Sequence, residues 1–200
     1  MTRKTLLLAI ALVVLMIGVA VAAWMASPKP GSQSAQGQAL VGGDFQLVNQ
    51  DGKPVDQTLL NGKWSVVFFG FTYCPDICPT TLQSLDLAID RLGPKAKDLQ
   101  VVFVSVDPER DTPQLIKTYL ANEAYPKDVI GLTGTPQQVA VAAKAYRVFY
   151  EKSGEGPGYL VNHSTAAYLM DPKGRFNRVL AYGLGPDETA HQIGEAMRGG

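Results

Sequence analysis

Two stretches constrain this chain most: KWSVVFFGF at 63–71 and LQVVFVSV at 99–106. Both are near-continuous runs of β-branched and aromatic residues. A strand with one face in water alternates apolar and polar side chains, whereas strands covered on both faces of a parallel sheet read as unbroken apolar runs. Between them Leu82, Leu85, Ile89 and Leu92 recur at helical spacing, so the segment reads as strand, helix, strand with a right-handed crossover. Both cysteines of the chain, Cys74 and Cys78 in FTYCPDICP, fall at the first turn of that unit.

Around this unit, DFQLVNQDGKPVD alternates about an Asp-Gly pair and reads as a short hairpin. DTPQLIKTYL starts a helix with Pro113 in its first turn, and TPQQVAVAAKAY starts another, with Thr135 and Gln138 in a capping-box pattern around Pro136. RVFYEK, STAAYLMDP and RFNRVLAY read as strands, the last two joined by the turn DPKG. A final, weakly amphipathic helix from Pro186 turns Ala190, Ile193 and Met197 toward the core. This element order is that of a thioredoxin-like α/β domain, a central mixed sheet flanked by helices; on its own it does not decide function.

At the N-terminus, TLLLAIALVVLMIGVAVAAWMASP is 24 residues without a charge, and about 20 apolar residues suffice for a helix to cross a bilayer. A cleavable signal has a shorter apolar stretch of roughly 7–15 residues. VAA or WMA would serve as its cleavage site, but the length of the run favours an uncleaved anchor. Arg3 and Lys4 flank it on the N-terminal side, which keeps the N-terminus cytoplasmic and places the rest outside. Residues 27–43 have the Gly, Ser, Gln and Pro content of a flexible tether. The expected organisation is an anchor at 1–26, a linker at 27–43 and a folded domain at 44–200. Lys plus Arg and Asp plus Glu both number 18, so there is no basic excess of the kind that phosphate neutralisation requires, and nucleic-acid binding is disfavoured.

Two cysteines four residues apart admit three chemistries. A structural disulfide closing so short a loop removes little chain entropy and would staple nothing. Disulfide exchange fits paired thiols after a strand, although its usual spacing is C-x-x-C and here it is C-x-x-x-C. Pro75 and Pro79 suit the loop and first turn of a helix, where unpaired N–H groups and the helix dipole favour the thiolate. Metal binding needs a third ligand, and His163 and His191 are the available imidazoles. His191 falls among surface residues of the last helix. His163, in a Gly-rich loop that leads into a strand, is as well read as a satisfied polar side chain as a ligand. Two thiolates and an imidazole would suit Cu(I), or Cu(II) with an added oxygen, whereas structural zinc normally takes a fourth protein ligand. VSVDPERDTP ends the second buried strand, where ligand groups gather in open α/β sheets. Asp111 or Thr112 accounts for the cap of the next helix, leaving Asp107 as a candidate to support the site.

FFGFTYCPDICPTTL, VFVSVDPERDTP, GLTGTPQQV with AYRVFY, and YLVNHSTAAYLMDPKGRF together resemble the Sco/SenC copper-chaperone family, from about Asp44 to the C-terminus. The resemblance implies a thioredoxin-like fold holding one copper ion, Cu(I) or Cu(II), through Cys74, Cys78 and His163. It further implies a single-pass protein of the bacterial inner membrane with a periplasmic domain. Such a protein assists assembly of the dinuclear copper site of cytochrome c oxidase subunit II or serves another copper-site protein. Another periplasmic copper chaperone or a thiol reductant is a further expected partner. Many family members carry Asp immediately before the histidine and this chain has Asn162, a position expected to bear on imidazole orientation or docking. The alternative is a thiol:disulfide oxidoreductase that reduces the cysteines of that copper site or of another exported protein. A peroxide-reducing enzyme is disfavoured, because no Arg-supported P-x-x-x-T-x-x-C pattern surrounds Cys74.

Overall fold

The two apolar runs pair with each other along their whole length. In the computed structural model, which describes residues 41–199 together with Met16, β3 (Trp64–Gly70) lies parallel to β4 (Leu99–Ser105), in register from Trp64 opposite Leu99 to Gly70 opposite Ser105. Every residue of β3 is buried, as is every residue of β4 except Gln100. Side chains alternate across the sheet. Phe68 and Phe103 meet on one face with ring centroids 6.1 Å apart, and Phe69 packs on the other face against Tyr146 at 5.2 Å.

Helix α1 (Ile77–Leu92) is the crossover between these strands and buries Cys78, Leu82, Leu85 and Ala88. Helix α2 (Pro113–Leu120) follows β4, its first turn capped by the Thr112 hydroxyl, which accepts the Leu115 N–H. Helix α3 (Pro136–Ala145) carries the full capping box, with both the Thr135 and the Gln138 side-chain bonds made. Helix α4 (Pro186–Gly199) packs against α1 and buries Ala190 and Ile193, with Met197 partly covered.

The sheet is mixed and seven-stranded, in the order β2-β1-β5-β4-β3-β8-β9. The expected N-terminal hairpin is β1 (Gln46–Asn49) with β2 (Pro54–Asp56), and the expected C-terminal one is β8 (Ala167–Met170) with β9 (Phe176–Leu180). Strand β5 (Ile130–Thr133) was not foreseen. Its four residues sit between turns, too few to display a period, yet it joins the first hairpin to β4. A second correction concerns His163. The segment before it is not a loop throughout: β6 (Tyr150–Ser153) and β7 (Leu160–His163) form a separate two-stranded sheet, with His163 opposite Tyr150.

Apart from Met16, the expected anchor 1–26 and residues 27–40 of the linker lie outside the described residues. Among the described residues no helix is long and apolar enough to cross a membrane.

Gly131 in β5 shows how closely α2 lies on the sheet. A Cβ there would sit 2.2 Å from Ile116 Cγ2 and 2.7 Å from Leu120 Cδ1. Gly131→Ala should therefore destabilise the fold by about 1–3 kcal/mol through overpacking, read as a lowered urea midpoint at unchanged slope; an unchanged midpoint would contradict this packing.

Candidate metal centre

The chain leaves β3 at Gly70, turns through Phe71–Asp76 and enters α1 at Ile77. The sequence pattern suggests one helix face for both cysteines, but only Cys78 is helical. Cys74 lies in the turn ahead of the helix, where its N–H donates to the Phe71 carbonyl at 3.2 Å. The two remain adjacent because the Cys78 N–H, an unpaired donor of the first turn, points at Cys74 Sγ at 3.4 Å. Pro79 is the third helical residue, where no intrahelical N–H bond is required. Cys78 is completely buried and Cys74 half-buried, and both are free thiols. A Cβ on Gly70 would lie 2.7 Å from Cys78 Sγ, so the glycine makes room for this sulfur.

His163 reaches the pair from the end of β7. Its Nε2 is 3.7 Å from Cys78 Sγ, and its Nδ1 is 2.8 Å from the Ser164 carbonyl. A carbonyl only accepts, so Nδ1 carries the proton of the neutral ring and Nε2 turns its lone pair toward the sulfurs. Phe71 and Phe68 pack against the imidazole, with centroids at 5.8 Å and 6.5 Å. Ligand atoms of Cys74, Cys78 and His163 all lie within 4.8 Å of one another, the one such group of three among the described residues. His191 is remote from this group in character as well as sequence: it is an exposed side chain on α4, 3.8 Å from Glu195.

The two sulfurs are electrostatically unequal. The Cys74 thiol is pulled down to about 4, first by a hydrogen bond from Cys78 and further by the N–H groups of Cys78 and Asp76, against the opposing effect of burial. Cys78 is pushed up, first as the donor of that hydrogen bond, then by burial and by the neighbouring negative charge. The negative charge is thus favoured on Cys74 and the proton on Cys78. Placing a metal on both sulfurs would release the Cys78 proton.

Asp107 is buried at the end of β4 and accepts from the Tyr159 hydroxyl at 2.5 Å and from Arg110 Nε. Its partners belong to the surroundings of the hairpin, and it makes no bond to Cys74, Cys78 or His163. Asn162 is exposed, pairs across the hairpin with Glu151 and points away from His163 by strand alternation. The side-chain bond of the imidazole is to the Ser164 carbonyl.

Sequence reasoning missed Asp111. Thr112 takes the helix cap, which leaves the buried Asp111 carboxylate to accept from Thr72 Oγ1 at 2.5 Å, Thr72 N–H at 3.1 Å and Ser105 Oγ at 2.6 Å. It clamps the start of the cysteine turn to the end of β4. Burial pushes its pKa up, while the Ser105 and Thr72 hydrogen bonds pull the other way. The only sequence signal was a second acidic residue beside an already sufficient cap.

Comparison with known proteins agrees with this site. The SCO1/SenC family model matches residues 33–198. The chain is 47% identical over 153 residues to the mitochondrial protein SCO1 homolog 1 of Arabidopsis thaliana, spanning 76% of this chain but 45% of that one. It is 38% identical over 202 residues to protein SenC of Rhodobacter capsulatus, spanning 96% and 90% of the two. The crystal structure of Arabidopsis thaliana ScoI with copper bound superposes with a TM-score of 0.75 at 40% identity, covering 80% of this chain and 99% of that one.

Because the folded pKa of Cys74 lies below the ordinary thiol value, the thiolate favours the folded state above that ordinary value, and this contribution fades as pH falls through about 4. In the reduced, metal-free protein, the ultraviolet thiolate band should show one thiolate at pH 7 that is lost near pH 4, with the second proton leaving only above the ordinary thiol range. Two thiolates appearing together near about 8.5, the unperturbed value, would overturn the asymmetry.

Proposed function

The chain belongs to the SCO1/SenC family, and from that membership we propose that it is an extracytoplasmic copper metallochaperone assisting assembly of the dinuclear copper site of cytochrome c oxidase subunit II. The observation that carries this reading is the convergence of Cys74, Cys78 and His163 within 4.8 Å, with the His163 lone pair facing the sulfurs. Two thiolates and one imidazole are a soft set suited to trigonal Cu(I), and an added oxygen would complete a site for Cu(II). Copper is cargo in this scheme. The buried Cys78 and the hairpin-borne His163 hold it, while half-buried Cys74, beside a depression lined by Phe71, Pro75, Ile77 and Leu160, is the ligand within reach of an acceptor thiol. Transfer then proceeds by ligand exchange, with the acceptor's sulfur replacing Cys74 before the remaining ligands let go.

The uncharged run between Lys4 and Lys29, with Arg3 and Lys4 ahead of it, supports a single-pass anchor that keeps the domain on the periplasmic side of a bacterial inner membrane. There it would meet an oxidase subunit, and a copper chaperone or thiol reductant that reloads it.

A second reading is favoured by the unequal sulfurs. The Cys74 thiolate can attack a disulfide in an exported substrate, releasing one substrate thiolate and forming a mixed disulfide. Cys78, on losing its proton, then attacks Cys74, releasing the second substrate thiol. The substrate gains two electrons and this chain is left with a Cys74–Cys78 disulfide, which an external dithiol must reduce.

The two readings separate on His163. The reduced protein should retain close to one copper per chain after dialysis, and His163→Ala should weaken binding by more than the roughly 10–100-fold that loss of a mere supporting partner costs. Wild-type protein without copper, or His163→Ala binding as tightly as wild type, would reject the chaperone reading. Disulfide exchange that survives His163→Ala would support the second.

A further inference from the structure

His163 sits on a hairpin that shares no strand pairing with the main sheet, so beyond its chain connections and the buried Val161 its placement over the cysteines is set by side-chain contacts. At its base the hairpin is continuous with the main domain, where the Ser164 and Phe149 backbones bond to each other. At the other end of β7, contacts converge on one residue of the β4–α2 loop. Arg110 Nη1 donates to the carbonyl of Tyr159 at 2.9 Å and to that of Pro157 at 3.2 Å. Its Nε pairs with Asp107, which also accepts from the Tyr159 hydroxyl. The guanidinium lies 3.7 Å from the Tyr159 ring centroid and 4.8 Å from that of Tyr73, the residue immediately before Cys74. Lys152 on β6 adds a bond to Glu109 in the same loop and stands over the other side of the cluster, 4.5 Å from the Tyr159 ring.

An exposed ion pair would mean little here. This one is different: the Asp107 side chain is only 1% exposed, the bonds of Arg110 are charge-assisted, and two of them end on hairpin backbone. One guanidinium therefore touches both ligand-bearing segments, through Tyr73 on the cysteine side and Tyr159 on the histidine side.

We propose that Arg110 and Tyr159, anchored on Asp107, are positioning residues that latch the β6–β7 hairpin and thereby set the distance of His163 from the cysteine pair. Neither touches the ligand atoms. Both act through where the imidazole stands. The consequence for copper rests on the metal-site reading above, whereas the latch itself does not.

The test uses the full chain in detergent micelles, as wild type, Arg110→Met and Tyr159→Phe, each with and without His163→Ala. In the metal-free proteins, hydrogen exchange of amides at 150–163 should quicken by roughly tenfold in Arg110→Met, and less in Tyr159→Phe, while β3 and β4 stay protected. Copper affinity should fall by roughly 10–100-fold in Arg110→Met, as for other outer partners of a metal ligand, with little further loss when His163 is already alanine. Hairpin exchange unchanged in both variants overturns the latch. So does an affinity loss that is equally large in the His163→Ala background. If Arg110→Met loses protection throughout, Tyr159→Phe, which keeps the ring, decides. If wild-type protein binds no copper, the chaperone reading falls and hairpin exchange alone decides the latch.

Discussion

The parallel pairing of β3 with β4 is the constraint from which the site follows. Because both strands are covered on both faces, their register is fixed by burial, and both end at the same level, Gly70 opposite Ser105. The Val106 N–H extends the ladder to the Gly70 carbonyl at 2.8 Å, and Asp111 ties Thr72 to Ser105 just beyond. The cysteine turn thus departs from a fixed edge. Cys78 sits in the first turn of α1 and Cys74 in the turn ahead of it.

Against this half, the histidine half is carried on a two-stranded hairpin held by the buried Val161 and by polar contacts. A rigid cysteine pair with a ligand on a latched arm suits a protein that must both hold a soft metal ion and give it up. On the proposed chaperone reading, the half-buried Cys74 would be the exchangeable donor, and the buried Cys78 thiol would give up its proton on taking a metal or on forming a disulfide. The same asymmetry serves ligand exchange and thiol chemistry, which is why the two readings share a site.

Much of this was legible in the sequence, for physical reasons. Unbroken apolar runs announce strands buried on both faces, and Thr135, Gln138 and Pro136 announce a helix start that the structure reproduces in full. What stayed hidden depends on neighbours distant in the chain. Ile130–Thr133 is too short to show a period and is a strand because β1 and β4 flank it. Asp111 looks like a capping residue until Thr112 is seen to fill that role. The third candidate ligand could not be chosen on residue type and position alone. Its choice came from the family resemblance, and the fold supplies the reason: the hairpin places residue 163 beside residue 78.

X-ray absorption at the copper edge of the reduced, Cu(I)-loaded protein tests the central claim most directly. Two sulfur scatterers and one imidazole nitrogen, with the nitrogen shell lost in His163→Ala and one sulfur lost in Cys78→Ser, are the predicted result. A shell without sulfur, or one unchanged by removing His163, would contradict the account.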